Sequence, residues 1–429
     1  MNLIYWCKKH CKLLCVDVVC IVCVLILTGC MNHMISLQYS QQEADRWQAD
    51  GEIKYHQVSA YLQNDSMISL ESISQIRSDI QGKLMEASYT QDSVTGRLWI
   101  DAYMAQSQDS VSKTSDMGTN GVESVNILGV GGDFFRFHTQ DLISGSEFGD
   151  DDPSQDKVLI DQETAWQLYG ATDVAGKTID IGSRQFVISG VYRASEDKTE
   201  QQARGNESYI FMDYDLFHEM YPEENIIAYE AVMPNPVKGF ALLALKEAFG
   251  ESEDTLYAED IVVSFSDKEY VDNTTRFDTV MLLKKLIALP KLMMHTTQVS
   301  YPYWENAVRA LEIRLEFLLL WKLLFLLPVI VTIVIVAVIV FRTLKRYIKE
   351  NFGRWAETVS RKVEDKARER RRKREEAEAS EEESKIGDVE LPSQEQQAEN
   401  EQLQGMLDEA MAQLGDAVGE MVGEESDEV

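Results

Sequence analysis

Hydrophobic and polar positions divide the chain into two long apolar runs, a mixed stretch between them and a charged end. The stronger run, Leu323 to Phe341, holds no charged residue. At about 1.5 Å per helical residue it nearly matches a hydrocarbon core of roughly 30 Å. Trp321 stands at its first edge and Arg342, Lys345, Arg346 and Lys349 follow its second, the flanks expected of a span whose later end faces the cytoplasm. Pro328 falls in its first turns, where neighbouring helices or water satisfy the freed carbonyl. The weaker run, Leu13 to Leu27, follows Lys8, Lys9 and Lys12 and is broken by Asp17. An ionisable residue in a span is costly, which places Asp17 near an interface or against a partner helix.

Between the runs the periodicity changes repeatedly. Ile53 to Leu62 alternates like a strand, and Leu70, Ile73, Ile76, Ile80 and Leu84 fall on one face of a helix capped by Ser66 or Ser69. Arg97 to Ala105 and Val122 to Leu128 read as strands. Lys157 to Ile160, Thr178 to Ile181 and Gln185 to Tyr192 are short β-rich runs, with a helix over Gln162 to Tyr169 whose packing face is Ala165, Leu168 and Tyr169. Ser208 to Met212, Ile226 to Val232 and Ile261 to Phe265 read as strands, and Phe240 to Phe249 as a helix. The order predicts an α+β layer with a β-rich subdomain inserted at about 138–200. Thr279 to Met294 is apolar with lysines and contains Pro290; a packed helix of the domain is the preferred reading, and a helix on the membrane surface or against a partner stays open. Trp304 to Leu320 reads as a helix feeding the second span. Its Glu305, Arg309, Glu312, Arg314 and Glu316 predict a solvated stalk with local ion pairs.

Composition narrows the function classes. A formal charge of −31 over 429 residues excludes nucleic acid as a partner, since phosphate contacts need a basic surface. All six cysteines (Cys7, Cys11, Cys15, Cys20, Cys23 and Cys30) precede residue 31, so the mixed stretch rests on its core alone. Leu27-Thr28-Gly29-Cys30 keeps two readings open for the first run. One is an uncleaved first span, the preferred reading; the other is a signal peptide lipidated at Cys30. After the second span, Arg361 to Arg374 is basic and Glu375 to Glu383 acidic, Ser384 to Glu399 is polar, and Leu403 to Met421 shows helical spacing.

Candidate chemistry is sparse. Ala171 to Thr178 fits a relaxed phosphate-loop pattern, but a helix precedes it and a strand follows, the reverse of what converges amides on an anion. A structural turn is expected, with Lys177 pointing to solvent. The six histidines (His10, His33, His56, His138, His218 and His295) show no paired ligand spacing. Asp150-Asp151-Asp152 lacks the spaced oxygens of a calcium loop. Asn64, Asn206 and Asn273 begin sequons that matter only in a eukaryotic secretory pathway. No catalytic, cofactor-binding or metal-ligating residue is assigned, no cofactor is expected, and the chain is not read as an enzyme.

One segment carries a resemblance. Asp133-Phe134-Phe135, Leu142 to Phe148, Lys157-Val158-Leu159-Ile160, the helix 162–169, Gly170, Gly176-Lys177-Thr178-Ile179 and Phe186 to Val191 occur in an order that resembles the periplasmic core domain of MacB-type proteins, in the FtsX/MacB group of ABC-transporter permeases. The resemblance implies a MacB-like extracytoplasmic α+β domain between two transmembrane α-helices and a domain that transmits motion rather than solute. The family's ATPase domain and last two membrane helices are not matched, so a separate permease and ATPase are expected as partners beside the bilayer. A homo-oligomer is compatible with this. The expected organisation is a stub and first span at 1–34, the extracytoplasmic domain at 35–303, a stalk at 304–322, the second span at 323–341 and a charged cytoplasmic tail at 342–429, with both termini cytoplasmic. A surface receptor or lipoprotein-like binding module on the same fold is the alternative. No substrate, effector or partner identity is readable.

Overall fold

The computed structural model describes residues 11–48, 53–90, 97–113, 121–149, 154–251, 267–292 and 298–384, and statements of structure concern these. The acidic triplet at 150–152, the expected strand at 261–265 and the helical spacing after residue 402 lie outside them. The chain divides into two units, Asn2–Val336 and Ala337–Val429. In the second, residues 337–384 are helical and the basic run 361–374 is exposed along its length.

The first unit is built on one ten-stranded sheet: β1 (Tyr55–Leu62), β2 (Ile100–Lys113), β3 (Gly121–Gly132), β4 (Asp141–Gly145), β5 (Lys157–Asp161), β6 (Thr178–Ile181), β7 (Arg184–Arg193), β8 (Ser208–Asp213), β9 (Ala228–Pro234) and β10 (Lys268–Asp272). The order is β10-β1-β9-β2-β3-β8-β5-β7-β4, and β6 bridges β2 and β7. That bridge closes a ring, β2-β3-β8-β5-β7-β6, so the β-rich segment expected at about 138–200 forms a barrel that shares β2, β3 and β8 with the open sheet. β2 serves both parts because it bends: the pairing with β3 slips between Asp109 and Val111, and Val111 onward pairs with β6 instead of β9.

Alternation along the strands sorts side chains to two faces. In β9, Tyr229, Ala231 and Met233 join one core, while Ala228 and Val232 join the other. The first core is covered by α3 (Leu70–Glu86), whose Ile73, Ile76, Ile80 and Leu84 are buried, each worth about 1.5–3 kcal/mol. Ser69 caps that helix through a reciprocal box with Ser72. Leu70 begins the predicted stripe but is exposed. In the barrel, α5 (Gln162–Tyr169) packs Ala165 and Leu168 inward and ends on Gly170 in the left-handed region. The second core is aromatic: Phe134 and Phe137 of the short helix α4 (Phe134–Phe137) meet Phe211, Tyr303 and Trp304.

Two helices flank this domain and are long and apolar enough to cross a membrane: α1 (Cys11–Ser36) and α10 (Tyr303–Ser384), the latter through the window Tyr303–Lys349. Cys30 lies exposed within α1, and Asp17 is buried on it. The remaining elements are α2 (Glu43–Gln48), α6 (Lys198–Arg204), α7 (Tyr214–Met220), α8 (Phe240–Ala248) and α9 (Thr279–Leu292). β10 was not anticipated, because Lys268-Glu269-Tyr270-Val271-Asp272 shows no apolar alternation and every residue is half-buried at the sheet edge.

Candidate functional site

The first turns of α10 are not a solvated stalk. Glu305 is 0 %, Glu312 6 % and Glu316 5 % exposed, and they share a helical stripe with Val308, Leu311, Leu315 and Leu319. The expectation of local pairing holds for one pair, and the other cations come from elsewhere in the chain. Arg276, in the turn after β10, donates from Nη2 to Glu305 Oε1 (3.0 Å), from Nη1 to Glu305 Oε2 (2.9 Å) and from Nε to Glu312 Oε1 (3.0 Å). Its Nη1 also donates to Gln41 Oε1 (2.9 Å), which ties in the turn after α1. Lys285 of α9 donates to Glu312 Oε1 at 2.5 Å. Only Arg309, donating to Glu305 Oε1 at 2.8 Å, follows the predicted i,i+4 pattern. It also reaches Glu269 of β10 (2.7 Å) and lies over the Tyr301 ring at 3.8 Å.

Charges this deep persist only when paired and fully hydrogen-bonded. Burial works against the Arg276 cation, but Glu305 and Glu312 outweigh it and hold its proton more tightly than in water. Burial likewise disfavours the Glu312 carboxylate, yet Arg276 and Lys285 prevail and bring its pKa down to about 2. For Glu316 burial outweighs the attraction of Lys285. Its Oε2 is buried without a hydrogen bond among the described residues, and desolvation raises its pKa.

The network continues into the sheet. Tyr61 of β1 donates to Glu305 Oε2 at 2.9 Å and lies 3.5 Å from Glu230 Oε1 of β9. Glu230 Oε2 meets His138 Nε2 at 2.8 Å, and the His138 ring lies tilted against Trp304 with centroids 4.5 Å apart. A second clip holds the opposite side of α10. Arg314 donates to Thr199 Oγ1 (2.6 Å) and Gln202 Oε1 (2.9 Å) of α6. At the end of α6, Arg204 pairs with Asp161 at 2.5 Å and lies over the rings of Tyr192, Tyr209 and Tyr303. Asp161 also caps α5 through Thr164 N (2.7 Å), so one carboxylate serves barrel and stalk together.

This arrangement joins the helix leading to the second span to the two halves of the sheet by directional bonds. Two cavities lie nearby. One, about 360 Å³, is lined by Asn32, Ile35, Gln41, Asn273, Phe277 and Asp278 below Arg276. The other, an open groove of about 830 Å³, is lined by Arg77, Arg97, Trp99, Asp101, Asp133 and Arg136. In it Arg77 is bound to Asp101 (2.7 Å) and Arg97 to Asp133.

The residues singled out in the sequence fall elsewhere. Gly176 has φ +82° and is followed by β6. The amide of Lys177 donates to Val174 O (3.0 Å), closing a turn, while that of Gly176 donates to Ile188 O of β7 (2.8 Å). Lys177 is exposed but does not simply point to solvent. Its ammonium sits 4.9 Å from the centre of the Tyr169 ring, an attraction that spacing along the chain does not display. His56 pairs with Asp272 at 3.0 Å across β1 and β10, far from His138 in sequence and in role. Asn273 is buried, its Nδ2 donating to Ser59 Oγ at 2.8 Å. Arg276, Lys285, Tyr61 and Glu230 escaped sequence reading. One signal was available: two acidic residues, Glu305 and Glu312, seven positions apart on the stripe of Val308 and Leu315, which implies buried cations opposite.

Residues 18–266 match the family described as the MacB-like periplasmic core domain. The chain belongs to that family. Its MacB-like domain is similar to the periplasmic region of MacB from Actinobacillus actinomycetemcomitans, at 16 % identity and a TM-score of 0.35, over 56 % of this chain and 94 % of that one. It is also similar to the extracellular domain of the ABC-type transporter YknZ from Gram-positive bacteria, at 14 % identity and a TM-score of 0.32, over 50 % of this chain and all of that one (100 %). No curated protein sequence matches the chain. The family's periplasmic domain, with two candidate membrane helices flanking it, is the makeup of a membrane-associated protein.

Proposed function

We propose that this chain is a non-catalytic, membrane-anchored subunit of an ABC-transporter-type assembly, coupling motion of its extracytoplasmic domain to a partner. The observation that supports the reading is the buried network of Arg276, Glu305 and Glu312, which locks the domain to the helix that enters the second span. A domain that only displays a binding surface has no need of an ionic lock at its base. A domain that passes a twist into the bilayer is served by directional bonds there, because a guanidinium fork fixes one geometry. On this reading both termini are cytoplasmic, residues about 35–316 lie outside, and a separate permease and ATPase complete the assembly. The basic residues after Phe341 support that orientation.

The test is purification of the full chain in mild detergent, followed by identification of its companions. A permease and an ATPase, lost together with transport when Arg276 is replaced by Met while the chain stays in the membrane, are the expected result. A chain that purifies alone and works unchanged would favour a surface binding module on the same fold. Lysine-directed labelling of intact cells checks orientation separately: Lys157 should react and Lys373 should not.

A further inference from the structure

Helix α9 (Thr279–Leu292) has two unlike faces. Leu282 is fully buried, in one cluster with Met31 of α1 and Leu311, Leu315 and Leu319 of α10. Lys285, at the flank, is fixed to Glu312. On the opposite side Val280 is 65 %, Leu283 37 % and Ile287 72 % exposed, with Lys284 exposed beside them. At 100° per residue these four positions fall within one third of the helix circumference, centred opposite Leu282. A monomeric soluble surface does not ordinarily gather such a stripe.

Its place in the molecule says what covers it. The cluster that holds Leu282 includes Leu319, which lies two residues, or about 3 Å of helix, before Trp321 at the edge of the second apolar run. It also includes Met31, near the outer end of the first. Around the same level α10 is itself exposed and apolar at Phe317, Leu320 and Trp321. A lysine on the rim of such a stripe suits the phosphate level of a lipid layer. We infer that α9 is an in-plane membrane helix: it seats Val280, Leu283 and Ile287 in the outer leaflet at the headgroup–acyl boundary, with Lys284 at the lipid phosphates. The domain would then rest on the bilayer through a third contact besides its two spans, and through Lys285 that contact is joined directly to Glu312 of the ionic lock.

The full chain, with its six native cysteines replaced by serine, takes one cysteine at a time: Val280→Cys, Leu283→Cys, Ile287→Cys or, as a control on the barrel, Glu163→Cys. Each is nitroxide-labelled and reconstituted in vesicles of phosphatidylglycerol and phosphatidylcholine in equal parts. All four positions are exposed, so none of the changes touches the core. At 280, 283 and 287 collisions with dissolved oxygen should exceed those with a water-soluble nickel complex several-fold, and at 163 the order should reverse. The inference is overturned if the three helix positions behave like 163. It is equally overturned if labels at 287 broaden one another, which would put a second copy of the chain on the stripe.

Discussion

The two ends of the domain are held together by different physics. At the barrel end, Leu159, Ile160, Ile179, Ile181, Phe186 and Ile188 are fully buried, and the ring of strands has no open edge between β2 and β7. At the base, the same depth of burial is spent on Arg276, Glu305, Glu312, Tyr61 and Glu230. Apolar packing depends on volume and tolerates small rearrangements, whereas a fork of guanidinium bonds accepts one geometry. The barrel is thus built to stay closed, and the base is built to hold one helix at one angle. Where a structure must transmit orientation, a buried ion pair is a better device than an equal area of leucine, although it adds less stability.

The largest effect should come from Arg276→Met. Leaving Glu305 and Glu312 buried without their shared cation should cost about 3–5 kcal/mol, read as a fall in the unfolding midpoint of the detergent-solubilised chain. Adding Glu305→Leu and Glu312→Leu should restore much of that stability, and failure to do so would mean that the network stabilises by more than charge pairing. Next, Ile160→Ala in the barrel should cost about 2–5 kcal/mol and leave the helix–domain joint intact. A distance between labels on α10 and β9 that moves in Arg276→Met but not in Ile160→Ala would sharpen the contrast; equal movement in both would abolish it.

Acid should act on the base through Glu312. The Glu312 carboxyl is held at about 2, below its unfolded value near 4.5, so its stabilisation is complete above pH 4.5 and disappears as pH falls toward 2. That loss amounts to roughly 3 kcal/mol, and Glu312→Gln should flatten the corresponding slope in a pH series of melts. Least affected should be the turn at 176–177. Gly176→Ala places a side chain at φ +82° in open space, so only the backbone penalty of about 1 kcal/mol applies. Lys177→Ala removes the contact over Tyr169, about 0.5–1 kcal/mol. Neither melt should shift with added ATP; a rise in the parent chain that Lys177→Ala cancels would revive a phosphate site.

Local periodicity made most elements legible. The helix at 162–169 and the strand at 178–181 fall where alternation and glycine punctuation put them, because each is specified by its own residues. β2 runs eight residues past its predicted end, since Val111 answers to β6 and not to any pattern within β2. The joint was illegible for the same reason. Arg276 meets Glu305 across 29 positions and Gln41 across 235, and Tyr61 meets Glu305 across 244. Charge on a helix reads as solvent exposure until the partner that buries it is known.

The sheet's outer edge also sets a schedule. Ser59 of β1 lies opposite Glu230 of β9, 171 positions later in the chain, and β10 follows later still. At ribosomal rates of about 5–20 residues per second, β1 waits roughly 10–30 s for its first neighbour. During that interval Val58, Ala60, Tyr61 and Leu62 form an unpaired apolar strand. Whatever escorts the nascent chain must shield that strand until β9 arrives.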